Sequence, residues 1–348
     1  MTSFPNFLVL QCGIAIVAAV TGPTTIETDY GDVQLGTFEE VLKVPGRYFN
    51  DHCLILEDDT WHLFSIVGNA EPVPESTGFP PNETSIAHAT SGDLRNWVVH
   101  PDILSRTGKW PEEGCVFAPN VIEHEGTYYM LYTSTDARRI QRLNLATSTN
   151  LFDWTRYEGN PVIVPSAHWS DWPDFTVHEP DPDESFGGCR DPHILRLDDG
   201  RFVAYWVSRL RPDKFGEGTV GVAASISQDL VHWQEVGPVY WRKQFHRPLT
   251  LEVESPEVIH KDGKYWLFFK HGWWTWYVES ETPFDFTKGE AKRLGYAHAS
   301  EIFHWKDRWW ITHCNSLPDD FKRERSNPAR GLYIGNLDWT EDGPPRLK

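Results

Sequence analysis

Apolar residues along this chain come in short runs separated by tight polar turns, and one phrase recurs five times: a hydrophobic strand, an acidic or glycine-bearing turn, and an aromatic strand. Its copies read CLILEDDTWHLFSI, NVIEHEGTYYMLYT, HILRLDDGRFVAYWV, EVIHKDGKYWLFFK and EIFHWKDRWWITHC. The turns carry Asp-Asp, Glu-Gly, Asp-Gly, Asp-Gly and Lys-Asp, which is hairpin chemistry. Each unit is followed by a further apolar strand (SIAHAT, LNLATS, VGVAASI, TWYVES and GLYIG). A phrase running from Ser to an aromatic comes next: Ser91–Trp97, Ser148–Trp154, Ser227–Trp233 and Ser280–Phe286, with a degenerate copy at Gly335–Trp339. Antiparallel units repeating every ~45–75 residues are the mark of radially arranged sheets. The pattern predicts an all-β chain folded as one five-bladed β-propeller; a β-sandwich is the weaker alternative.

The propeller is expected over residues 41–348, with residues 1–40 lying outside the repeats. Within that first segment the apolar stretch Ile14–Val20 is placed to donate an outer strand to the last blade, which would remove an open sheet edge. Phe7–Val20 has the apolar character of a signal peptide, but no Lys or Arg precedes it and Gln11 interrupts it. A buried structural segment is therefore the better reading. Three polar insertions, Glu71–Glu83, Ser166–Gly188 and Arg211–Gly218, read as loops, and loops at one end of a propeller line its axial pocket.

Composition narrows the partners. A net charge of −18 excludes nucleic acid and anionic membrane, both of which require clustered positive charge. No apolar run reaches the ~20 residues of a membrane span. Seventeen Trp, 12 Tyr and 19 Phe are an aromatic excess that suits either blade packing or the stacking of flat ligands such as sugar rings, and packing is the default. The five cysteines form no CxxC pair and the histidines lack zinc-site spacing, so neither a disulfide framework nor a zinc site is expected.

Inside a repeat, the informative positions are those where single copies depart toward charge. The inner-strand starts read Asn50-Asp51-His52, Ala118-Pro119-Asn120, Arg190-Asp191-Pro192, Glu254-Ser255-Pro256 and His298-Ala299-Ser300. Symmetry about the axis would bring Asp51, Asp191 and Glu254 into one funnel. Crowded carboxyls raise one another's pKa, so one can hold a proton while another is ionised. That pair of states is what glycosidic bond cleavage requires.

At these residues the chain resembles the five-bladed propeller glycoside hydrolases of families 32, 43, 62 and 68, from about Arg47 onward. RYFNDHCLI is similar to the family 32 segment whose Asn-Asp pair supplies the nucleophile, which implies that role for Asp51. GGCRDPHIL carries the Arg-Asp-Pro motif, implying Asp191 as transition-state stabiliser beside Arg190. ESPEVIHKDGKYWLFF resembles the Glu-Cys-Pro box of family 32 and the Glu-Gly-Pro box of family 43, implying Glu254 as general acid. VFAPNVIEHEGTYYMLYTS follows the family 43 second-blade phrase, and His298 matches the axial histidine of family 43. His52-Cys53 departs from the Pro-Asn of family 32.

The resemblance implies removal of a terminal furanosyl unit, fructofuranosyl or arabinofuranosyl, from an oligosaccharide or polysaccharide. Asn50, His52, Arg190, Phe117, Trp110 and His298 are candidate substrate contacts, with Phe49 a further stacking candidate, and a core role is an equal alternative for the three aromatics Phe49, Phe117 and Trp110. Direct attack by Asp51 retains configuration, and activation of water inverts it. Carboxyl separations of about 5–5.5 Å and roughly 6.5–9.5 Å distinguish the two. No organic cofactor is required, and a calcium ion at the axis near His298 is one expectation. Two competitors are a phosphate-dependent phosphorylase, which would need basic residues at the funnel (Arg47, Arg190 and the stretch 242–247), and a propeller that binds glycans without cleaving them.

Overall fold

The computed structural model describes residues 25–28, 31–34, 36–69, 83–172, 188–242, 253–272, 274–314, 331–339 and 343–348. Apart from a two-stranded hairpin of Thr25–Thr28 and Gly31–Gln34, its described strands form five antiparallel sheets in chain order, the five blades of a β-propeller. Their inner strands are Arg47–Glu57, Val116–His124, Arg190–Arg196, Glu254–Lys261 and Glu301–Trp305. In each blade the inner strand turns into the aromatic strand of the recurring phrase. Four of these hairpins place both central residues at positive φ (Asp58 and Asp59, Glu125 and Gly126, Asp262 and Gly263, Lys306 and Asp307). Such left-handed pairs match the right-handed twist of the flanking strands, which is why Asp and Gly recur there.

The Ser-to-aromatic phrase is also structural. In its copies Ser148 Oγ and Ser227 Oγ accept the backbone N–H groups of Leu151 and Leu230, each at 2.9 Å. Leu94, Leu151 and Leu230 adopt φ of 63°, 64° and 64°, and the indoles of Trp154 and Trp233 donate back to the carbonyls of Leu151 and Leu230 at 3.1 Å. The phrase closes the turn into the outer strand and buries its leucine. Trp206, Phe202, Phe268 and Phe286 fill the spaces between sheets, so much of the aromatic excess is core.

The ring closes through the fifth blade. Its third strand, Leu332–Asp338, pairs with Phe38–Leu42 over one part of its length and with Arg346–Leu347 over the other. Thr37 N donates to Lys348 O at 2.6 Å where the two segments meet. The outer edge of that blade is thus covered jointly by a segment ahead of the first blade and one after the last. Ile14–Val20, put forward for this task by the sequence, lies outside the described residues. Leu42 packs on Leu332, Phe49 and Leu63, in the seam between the first and last blades. Leu42→Ala should cost about 2–4 kcal/mol, read as a lower urea midpoint at unchanged slope.

Of the insertions, Arg211–Gly218 is described throughout and holds one helical turn, Pro212–Phe215. Ser166–Gly188 is described only at its two ends. There Trp169 packs on Trp206 and donates its indole N–H to Glu235 Oε1 at 2.8 Å, which makes that end part of the core. Residues 71–82 and 173–187 lie outside the described residues. The four described cysteines, Cys53, Cys115, Cys189 and Cys314, are in no disulfide. Among the described residues no helix is long and apolar enough to cross a membrane.

Candidate active site

The axial ends of the inner strands share one irregularity. In the first blade the ladder pairs Phe49 with Val67 and resumes with His52 opposite Ser65, so two residues on the inner strand oppose one on its neighbour. The same bulge interrupts the second blade after Phe117, the third after Arg190 and the fourth after Glu254. In blades two to four its first residue lies in the left-handed region, Ala118 at φ 37°, Asp191 at 54° and Ser255 at 48°, as does Ala299 at 49° just ahead of the inner strand of the fifth. Bulges of this kind re-aim side chains, and non-glycine residues held at positive φ gather at functional sites.

Aligned on the bulge, the three acids occupy three successive positions. Glu254 is the last paired residue of its blade, Asp191 the first bulge residue of its own, and Asp51 the second of its own. The triples read from sequence are thus offset by one residue in the first two blades. A small axial cavity is lined by Asp51, Asp191, Ser255 and Glu301, with Pro119, Pro192 and Pro256 from the bulges.

Ser255 ties the acids together. Its Oγ donates to Asp51 Oδ1 at 2.6 Å and its backbone N–H donates to Asp191 Oδ2 at 3.1 Å. Arg190 Nε lies 3.4 Å from Asp191 Oδ2, and its Nη2 donates to Glu254 Oε1 at 3.1 Å. Lys270, directly across the hairpin from Glu254, bonds the other carboxylate oxygen, Oε2. The backbone N–H of Asp191 is fixed by Thr133 Oγ1 at 3.1 Å.

These contacts separate the protonation states of the acids. Burial raises Asp51, and Glu254 adds to the rise, against the lowering effects of the Ser255 hydroxyl, Lys270 and Arg190. Burial and the neighbouring Asp51 carry Asp191 up to about 7. For Glu254 burial acts upward too, but the two cations outweigh it and bring it down to about 2. Burial and carboxyl–carboxyl repulsion thus push Asp51 and Asp191 upward, while the two cations draw Glu254 downward.

Directly after the bulges of the second, third and fourth blades stands a polar residue that braces the next blade. Asn120 Oδ1 accepts Ile194 N at 2.9 Å, His193 Nε2 meets Val258 O at 3.1 Å, and Glu257 accepts Ile302 N at 2.8 and 3.1 Å. His52, the matching residue of the first blade, has Nε2 2.7 Å from Thr312 Oγ1 and Nδ1 3.1 Å from Cys314 Sγ. It is buried and pushed down to about 3 by that burial, so it is neutral. Proposed from sequence as a substrate contact, His52 lines the axial cavity and also joins the first blade to the fifth. Glu301 is the fifth member; burial and then Asp51 raise it to about 8.

The other sequence candidates divide. His298 Nε2–H donates to Asn50 Oδ1 at 2.8 Å, joining the fifth and first blades beside the acids. Phe117 and Phe49 are 4% and 2% exposed in the core, which corrects their stacking assignment to packing. Trp110 is 57% exposed on the loop leading into the second blade, with the Arg142 guanidinium over its ring. Ser255, Thr133, Lys270 and Glu301 were not singled out by the sequence. Ser255 and Glu301 sit at repeat-equivalent places and were legible in principle, whereas Lys270 is found only by pairing strands. Among the described residues no group of three or more His, Cys, Asp or Glu is arranged to hold a metal ion.

A ring of five sheets with an acidic axial pocket is the architecture of propeller glycoside hydrolases. The chain matches the glycosyl hydrolases family 32 N-terminal domain over residues 44–291, and it belongs to that family. Locally it is similar to β-fructofuranosidase insoluble isoenzyme 6 of Oryza sativa subsp. japonica, 36% identical over 84 residues, covering 23% of this chain and 14% of the rice protein. Insoluble isoenzyme CWINV1 of Arabidopsis thaliana is 34% identical over 86 residues, covering 23% and 15%. The match thus spans about a seventh of the length of these relatives. Among solved structures, a family 32 β-fructofuranosidase from Bombyx mori superposes with TM-score 0.61 at 18% identity, covering 86% of this chain and 62% of that one. A family 43 β-xylosidase/α-arabinofuranosidase from a compost microbial metagenome gives TM-score 0.64 at 13% identity, covering 90% and 98%. Likeness at these identities speaks for the fold.

Proposed function

We infer that this protein hydrolyses O-glycosyl bonds and removes a terminal furanosyl unit from an oligosaccharide or polysaccharide, with fructofuranosyl or arabinofuranosyl as the sugar. The observation that carries the reading is the convergence of Asp51, Asp191 and Glu254 on successive bulge positions, cross-linked by Ser255. Glu254 gives its proton to the leaving oxygen as the glycosidic bond breaks, and Asp51 acts on the anomeric carbon or on the water that attacks it. Asp191 accepts the ring hydroxyls as positive charge develops. Arg190 Nη1 is buried without a partner among the described residues, a donor that a sugar hydroxyl would satisfy.

Two features disfavour the phosphorylase alternative. Arg47 is clamped on Asp102 by bonds of 2.5 and 2.9 Å, and Arg190 holds Asp191 and Glu254 through Nε and Nη2, which leaves it the single donor Nη1 where a phosphate calls for several basic groups. Residues 243–247 lie outside the described residues. The test is a panel of aryl fructofuranosides, arabinofuranosides and xylosides with NMR of the first-formed anomer, run with and without phosphate. Hydrolysis of a furanoside that does not depend on phosphate is expected. Turnover only with phosphate, or binding without turnover across the panel, would replace this reading with one of its competitors.

A further inference from the structure

The geometry points to Lys270 as a positioning residue of the reaction: its ammonium fixes Glu254 from the hairpin side and sets how acidic the medium must be before Glu254 can serve as proton donor. This rests on the glycosidase reading and adds to it the last residue of the fourth recurring phrase, to which the sequence assigned no role. Glu254 and Lys270 are cross-strand partners at the last paired position before the bulge, so the hairpin ladder itself brings the two side chains together. The lysine side chain is only 17% exposed. Arg190 takes one oxygen of Glu254 and Lys270 the other, so both acceptor sites face cations.

The charged groups that face Glu254 among the described residues come from three blades: Arg190 and Asp191 from the third, Lys270 from the fourth and Asp51 from the first. Of the two cations, Arg190 has a second carboxylate to hold, Asp191, and is part of the Arg-Asp-Pro motif. Lys270 has Glu254 as its carboxylate partner. Removing Arg190 would disturb two acids at once, whereas removing Lys270 acts on Glu254 first.

In the reaction, Glu254 must arrive protonated, release that proton to the leaving oxygen as the carbon–oxygen bond breaks, and recover one from the water that completes hydrolysis. Each cation on the carboxylate favours the ionised form, so the protonated fraction at a given pH falls. Activity should accordingly rise as the pH falls, with a limb that Lys270 places on the acid side.

The experiment is the pH dependence of kcat/KM for wild type, Lys270→Met, Lys270→Arg and Glu254→Gln, on a glycoside with a poor leaving group and on its aryl counterpart with a good one. With Lys270→Met the upper limb should move to higher pH by about 1–3 pH units, the span a nearby opposite charge commands. Lys270→Arg, which keeps the charge, should restore the wild-type limb. The shift should show on the poor leaving group and be largely absent on the good one, which needs little protonation. A Lys270→Met variant that keeps the wild-type limb, or that only raises KM, would overturn the inference while leaving the glycosidase reading intact. A Glu254→Gln variant as active as wild type on the poor leaving group would refute Glu254 as the proton donor and the inference with it, whereas a wild type that hydrolyses nothing in the panel would instead overturn the glycosidase reading. Should Lys270→Met not fold, 13C NMR of carboxyl-labelled wild type, assigned with Glu254→Gln, decides: a Glu254 carboxyl titrating in the ordinary glutamate range refutes the inference.

Discussion

Asp51→Asn and Glu254→Gln should each lower kcat/KM on the natural glycoside by about three orders of magnitude or more and leave the fold intact. A positioned acid or base contributes roughly 10²–10⁴, and losing a covalent partner costs at least as much. The two variants should differ in kind. An asparagine can still accept the hydroxyl of Ser255, which bonds Asp51 Oδ1 at 2.6 Å, but it can neither attack nor deprotonate water, so the loss should appear with every leaving group. Glu254→Gln withholds only the proton, so aryl glycosides with good leaving groups should keep much of their rate. Stability gives a further contrast. Glu254 is held by Arg190 and Lys270, and its neutral replacement leaves two buried cations facing an amide. Asp51 is raised by its burial, so its replacement relieves rather than creates imbalance. Urea midpoints should therefore fall for Glu254→Gln and hold or rise for Asp51→Asn, alongside the activity losses.

Glu301→Gln should stabilise the protein in alkaline solution and make almost no difference in acid. Burial is the first cause of the rise to about 8 and the Asp51 charge the second, so the folded state favours the protonated form far more than the unfolded chain does. The sign follows directly. A carboxyl raised on folding contributes its full stability below its unfolded value, near pH 4.5, and loses it as the pH climbs through 8. Glutamine does not titrate and so avoids that loss. A tenfold change in proton affinity between the unfolded and folded chain corresponds to about 1.4 kcal/mol, and because Glu301 keeps some access to the axial cavity the expected gain at pH 9 is about 1–3 kcal/mol. Urea unfolding of both proteins at pH 5 and pH 9 reads it. A stability difference that is the same at both values would show that the carboxyl does not change protonation on folding. Glu257 is likewise buried, and its burial and then Glu301 raise it.

How far the sequence went can be judged residue by residue. The hairpin chemistry of Asp58-Asp59, Glu125-Gly126, Asp262-Gly263 and Lys306-Asp307 is local: the φ values those turns need are a property of the turn residues, and the blades follow from them. Asp51, Asp191 and Glu254 stood out because a repeat makes departures visible. The closing strand did not, because Phe38–Leu42 is a short, partly charged segment whose partner, Leu332–Asp338, lies almost three hundred residues away. The stacking assignment of Phe117 and Phe49 failed for a related reason. An aromatic beside the axis can face the pocket or the neighbouring blade, and the bulge, which shifts facing by one residue, decides which.

By itself the sequence determined the repeat, the number of blades, the acids that break the symmetry and the resemblance to the propeller glycoside hydrolases of families 32, 43, 62 and 68, since each of these is carried by residue type at fixed spacing. Only the tertiary structure decided that His52 serves the seam with the fifth blade, that Ser255 bridges Asp51 and Asp191, and that Lys270 and Arg190 flank Glu254. The physical reason is that protonation and orientation depend on which charges and dipoles stand within a few ångströms. Across the axis of a propeller those neighbours come from different blades, far apart along the chain.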